Sequence, residues 1–144
     1  MGYTGRILVA RTGPFPGALF EEERAGGWRW IQLDGDVPGA LSELVAATGT
    51  PAISAFVLDS DVADVEALTP GGQRWRTYLN PDVADRYGAP PLSMTPDEVL
   101  RAAIAWAAEA GLTADADAVR EALGAHHVEA EDAFEDLITA LGVV

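Results

Sequence analysis

The apolar pattern of this chain changes its period once along its length, and that change limits the folds open to it. Before residue 80 the apolar runs are short: 6–11 (RILVAR), 28–33 (WRWIQL), 53–58 (ISAFVL) and 74–79 (RWRTYL). They are rich in aliphatic and aromatic residues and set off by Gly- and Pro-containing breaks, as strands are. After residue 93 the apolar residues recur every three or four positions instead, as on helices. Strands first and helices afterwards argue against an alternating βαβ sheet and for an α+β fold. The expectation is a small, mainly antiparallel sheet of four or five strands with one covering helix over residues 1–91. A C-terminal three-helix segment, an acidic subdomain, follows over residues 92–144.

Local signals refine this outline. Residues 18–25 read as a short helical turn with Leu19 and Phe20 inward and Glu21, Glu22 and Glu23 outward. Asp36 suits an N-cap and Pro38 a first helical turn, ahead of a stripe of Leu41, Leu44, Val45 and Thr48 that Gly49 ends. The run 53–58 is apolar on both faces, as a central strand would be. Residues 65–68 and 74–79 form a hairpin about the Pro70-Gly71-Gly72 turn, with Trp75, Thr77 and Leu79 alternating with Arg74, Arg76 and Tyr78. Residues 80–92 are Pro-rich and irregular, with one turn near 83–87. Thr95-Pro96-Asp97-Glu98 is a capping box that opens a helix with Val99, Leu100, Ala103, Ile104 and Ala107 inward. A second helix starts at Thr113 or Asp115. A third runs from about Val128 to Leu141, with Phe134, Leu137, Ile138 and Leu141 inward.

Charge narrows the range of partners. The formal net charge is −14, and all nine basic residues are arginine. Residues 1–91 carry a net of −5 and residues 92–144 a net of −9, so the last third is far more acidic per residue. Such a field repels DNA, RNA and anionic lipid and attracts basic proteins. No apolar run approaches the roughly 18 residues of a membrane span. No cysteine is present, the first residues do not read as a signal sequence, and a cytoplasmic location without membrane or nucleic-acid partners is expected.

The sharpest motif is Asp59-Ser60-Asp61 with Asp64 close by, directly after the run 53–58. Carboxylates at the end of a central strand suit a divalent metal or a nucleophilic Asp, so Asp59, Asp61 and Asp64 are the candidate metal ligands. The string FVLDSDVAD resembles the first motif of haloacid-dehalogenase-type phosphatases, which implies Asp59 as nucleophile and Asp61 as acid/base. The resemblance spans about nine residues. Ala63 departs from it, and the chain has no Lys for the family's basic residue. His127 and Glu131, spaced i, i+4, share a helix side that suits a metal. No serine lies in a Gly-x-Ser-x-Gly elbow, and no phosphate-binding glycine motif occurs. Trp28, Trp30, Trp75 and Tyr78 with Arg29, Arg74 and Arg76 suit either a core or a recognition face.

These readings leave three functional expectations. The first is a non-catalytic, acidic protein-binding module for a basic partner, with no cofactor. Asp117, Glu121, Glu131, Asp132, Glu135 and Asp136 would steer the partner, and Arg74, Arg76 and Tyr78 would form a second contact surface. In kind, such a chain is similar to bacterial immunity proteins and other inhibitors of basic toxins. The second is a metal-dependent phosphohydrolase-like or metal-binding protein using Asp59, Asp61 and Asp64. The third is a structural subunit of a homo-oligomer.

Overall fold

In the computed structural model, which describes residues 2–144, six strands form one antiparallel sheet. They are β1 (Gly5–Ala10), β2 (Phe20–Glu23), β3 (Arg29–Gln32), β4 (Ala52–Leu58), β5 (Val62–Leu68) and β6 (Arg74–Leu79), in the spatial order β2-β3-β1-β4-β5-β6. Five helices accompany them: α1 (Ala40–Thr48), α2 (Pro81–Arg86), α3 (Pro96–Glu109), α4 (Ala116–Gly124) and α5 (Ala130–Leu141). The α+β class is as expected, with six strands instead of four or five. None of the helices is long and apolar enough to cross a membrane.

The central strands are buried on both sides. Ile7, Val9, Ile53, Ala55 and Val65 face α3, α4 and α5, sharing one core with Trp106, Phe134, Leu137 and Ile138. Leu8, Ala10, Ile31, Ala52 and Leu68 face α1, against Leu41, Leu44 and Val45. The tryptophans belong to the first core: the Trp28 ring lies 5.9 Å from Trp106, and Trp30 lies 5.6 Å from Phe134. The Trp106 indole also donates to Ala52 O at 3.2 Å and Leu68 O at 3.3 Å, tying α3 to β4 and β5. Residues 92–144 therefore complete the sheet's own core.

α1 covers only part of the second face, and α2 packs at its far end, with Val83 and Ala84 against Val62 and Tyr78. On the uncovered side Phe56 pairs with Asp64, Asp64 with Tyr78, and Glu66 with Arg76. Alternation brings these side chains to the surface while their neighbours Val57, Val65 and Trp75 stay in the core.

Three local expectations are corrected. Residues 20–23 form the edge strand β2, not a helical turn, and Leu19 and Phe20 are exposed. The open edge of β3 supplies the backbone partners, and Arg29 reaches back to Glu23 at 3.1 Å and Glu21 at 3.7 Å. Asp36 does not cap α1; its carboxylate accepts from Arg6 at 2.6 Å, and left-handed Gly39 precedes the helix. The segment after Asn80 is helical over α2, with Pro81 in its first turn. Near the start of the chain, Gly5 is needed for a close approach. A Cβ there would strike Leu33 O and the Tyr3 hydroxyl that donates to it.

The capping box at Thr95 forms as expected: Glu98 N–H donates to Thr95 Oγ1 at 3.2 Å, and Thr95 N–H donates to Glu98 Oε1 at 2.9 Å. That backbone N–H holds the Glu98 carboxyl below the usual glutamate range. Its stabilisation is complete above that range and is lost as pH falls through the lowered value. Glu98→Ala should therefore be less stable than the parent at neutral pH, with the gap closing under acid in pH-resolved urea titrations. Core and surface should separate as clearly. Phe134→Ala should cost about 3–5 kcal/mol. Val128→Ala, at a side chain 92% exposed, should stay within about 0.5 kcal/mol by the same titration.

Candidate functional site

The Asp59-Ser60-Asp61 motif is the turn between β4 and β5. Asp59 and Ser60 are left-handed, with φ of 53° and 55°, and Asp61 N–H closes on Leu58 O at 3.0 Å. Two successive positive φ values are what a tight hairpin turn requires. Asp, unlike Ser, visits this region readily. The turn's bonds reach far along the chain. Gly2 N–H donates to Asp59 Oδ1 at 3.0 Å, Tyr3 N–H to Ser60 Oγ at 2.8 Å, and Asp59 N–H to Thr4 Oγ1 at 2.9 Å. On the other side Ser60 Oγ donates to Glu131 Oε2 at 2.8 Å, and Ala130 N–H donates to Ser60 O at 2.7 Å.

The three aspartates thus have separate partners. Asp59 holds Gly2, Asp61 Oδ2 accepts from the Tyr87 hydroxyl at 2.7 Å, and Asp64 on β5 grips Arg76 at 2.8 and 2.6 Å. Among the described residues no group of three or more His, Cys, Asp or Glu is arranged to hold a metal ion.

Beside this turn lies Asn80, left-handed at φ 55° and 1% exposed. Its amide nitrogen donates to Asp61 O at 2.8 Å and His127 O at 2.9 Å, and its oxygen accepts from His127 N–H at 2.9 Å. One side chain therefore joins the β4–β5 turn, the start of α2 and the loop between α4 and α5. Every non-glycine residue with positive φ among those described sits at this junction.

The junction opens into a cleft of about 350 Å³ lined by Asp61, Arg86, Tyr87, His126, His127 and Val128, among others. His126 Nδ1 lies 3.1 Å from Asp82 Oδ1, and His127 Nε2 lies 2.7 Å from Asp136 Oδ2. The bond from His126 keeps the Asp82 carboxyl below the usual range, while the bond to Asp61 raises the Tyr87 hydroxyl. His127 Nδ1 and Glu131 Oε1 are buried without a hydrogen-bond partner. Neither histidine bonds a serine or threonine hydroxyl among the described residues, and Ser60 is engaged with Glu131 instead.

Both histidines also border a groove of about 600 Å³ between α4 and α5, whose charged lining is Asp115, Glu121 and Asp136, with no arginine. Of the carboxylates assigned to a partner, Glu121 and Asp136 line this groove, and Asp117 and Asp132 are exposed nearby on α4 and α5. Glu131 and Glu135 are drawn inward. Glu131 accepts from Ser60, and Glu135 is clamped by Arg24 at 2.6 and 2.7 Å, with that guanidinium 5.2 Å over Trp30. The second proposed surface lies apart from these helices, on the uncovered sheet face. There Arg76 stacks 5.5 Å from Tyr78, Arg74 meets Glu66 at 3.4 Å, and the Tyr78 hydroxyl donates to Pro90 O at 2.8 Å.

Sequence reasoning missed Asn80, Tyr87 and Val128. The Asn80-Pro81 pair was the available signal, since Asn tolerates the left-handed region and Pro starts helices. Asn80→Ala should destabilise the chain by about 2–4 kcal/mol in urea unfolding. Asn80→Gly should do so by about 1 kcal/mol less, because glycine adopts the left-handed backbone freely. Comparison with protein-family models, with curated proteins and with solved structures returns no match.

Proposed function

We propose that this chain is a non-catalytic acidic module that binds a basic protein partner, in the manner of inhibitor or immunity-type proteins. The observation that carries this reading is the groove between α4 and α5, in which three carboxylates and two histidines stand among alanines and Thr139 without an arginine. Most of the positive charge is paired within the chain, Arg120 of α4 with Asp117 included. Seven of the nine arginines form ion pairs: Arg6, Arg24, Arg29, Arg74, Arg76, Arg86 and Arg120. The excess of carboxylate lies on the helical side, in residues with a net charge of −9. A one-signed field of this kind steers encounter more than it adds affinity.

The test is capture of a basic protein from native lysate on the tagged chain, washed at low and high salt beside a charge-matched acidic control, followed by association kinetics with the captured protein. Association should slow steeply as salt rises. The combined variant Asp117→Asn, Glu121→Gln and Asp132→Asn should associate about tenfold more slowly at low salt, with an unchanged melting temperature. Salt-insensitive association would sink the reading. A melting temperature raised by millimolar Mg²⁺, and no longer raised in Asp59→Ala, would turn the assignment toward metal chemistry instead.

A further inference from the structure

Around α2 the acidic groove and an apolar recess are linked through the histidine cleft by shared lining residues. The groove and the histidine cleft share His126 and His127. The cleft in turn shares Tyr87 with a recess of about 290 Å³ on the uncovered sheet face, whose walls include Phe56, Leu58, Tyr78, Ala89 and Pro90. Of the seven large apolar side chains exposed among the described residues, Leu58, Tyr87 and Val128 line the cleft or the recess, at 42%, 52% and 92% exposure. The others are Leu19, Phe20, Val37 and Val144.

Tyr87 is held in place before any partner arrives. Its hydroxyl is fixed on Asp61, and its N–H donates to Val83 O at 3.0 Å at the end of α2. The start of that helix is tied through Asn80 to the hairpin turn and the histidine loop. An aromatic side chain already ordered in the free protein loses little freedom on binding, and such residues dominate interface energetics.

The charge around the recess is acidic or internally cancelled. Asp61 and Asp82 stand on the cleft side, Asp64 is paired with Arg76, and Arg86 reaches Asp82 at 3.8 Å. We propose, building on the basic-partner reading, that the partner inserts one apolar side chain into the recess against Tyr87 and Leu58 while flanking lysine or arginine side chains occupy the acidic groove. The occupant is thus a basic segment carrying a single apolar anchor. The groove governs how fast it arrives and the recess how long it stays, since rim charge acts on association and buried apolar contact on dissociation.

Two synthetic peptides test this on the intact, isotope-labelled chain by NMR at low salt: Lys-Lys-Leu-Lys-Lys amide and Lys-Lys-Ser-Lys-Lys amide. Both should shift the amides of Glu121 and Asp136. The leucine peptide alone should also shift the Leu58 methyls and the Tyr87 ring, and it should bind about tenfold more tightly. Tyr87→Ala should abolish that advantage while the groove shifts persist, and Tyr87→Phe, which keeps the ring but loses the bond to Asp61, should retain part of it. The amide spectra of both variants report whether the fold is intact. Groove shifts with no leucine advantage, or a leucine peptide that maps to Leu19 and Phe20, would overturn the anchor and leave the acidic-module reading standing. Absence of groove shifts with either peptide would overturn both.

Discussion

Burying both faces of β1 and β4 is the constraint from which the remaining architecture follows. Ile7, Leu8, Val9 and Ala10 are fully buried in succession, and so are Ile53 and Ala55. A strand with no solvent face needs apolar cover on each side. On one side α3, α4 and α5 supply it; on the other the nine-residue α1 does. The shortness of α1 decides where polar side chains can appear. Beyond its reach the same sheet face switches from Leu8, Ile31 and Leu68 to Phe56, Asp64, Arg76 and Tyr78. The polar part of that face, bordered by α2 through Val83 and Ala84, thus follows from the short reach of α1.

Arginine does two kinds of work in this fold. Arg11 and Arg24 lie over Trp28 and Trp30 at 4.8 and 5.2 Å, closing the edge of the tryptophan core. Others pair with carboxylates within the sheet. A planar guanidinium suits both tasks, because it stacks on rings and grips carboxylates through a fixed fork. Its consequence for surface charge is asymmetric: the sheet is locally balanced, whereas α4 and α5 keep carboxylates such as Glu121 and Asp132 that pair with no arginine. The acidity of the chain is therefore positional as well as global.

The parts legible in the sequence are those fixed by neighbours a few residues apart. The Thr95 capping box, the inward stripe of α5 and the alternation of β6 depend on local spacing, and each stands where the spacing placed it. β2 was not legible, because Phe-Glu-Glu-Glu has no alternation and becomes a strand only through the edge of β3. The turn at 59–61 shows the same limit from the other direction. Its carboxylates look like a reactive cluster in one dimension, yet their partners lie at Gly2, Tyr87 and Arg76. The histidines were visible as residue types, but Asp82, 44 residues from His126, and the joining role of Asn80 belong to the tertiary structure.

That turn also sets an order of assembly. Its own closure is local, spanning Leu58 to Asp61, but its bonds to Gly2, Thr4 and Glu131 bridge 57, 55 and 71 residues. Closing loops of that length costs chain entropy that only a formed sheet and packed helices can offset. The hairpin of β4 and β5 can form early on its own contacts, while its ties to the first residues and to α5 wait for the rest of the chain. In terms of chain entropy the turn is a latch: its own closure is short-range, and its fastening is long-range.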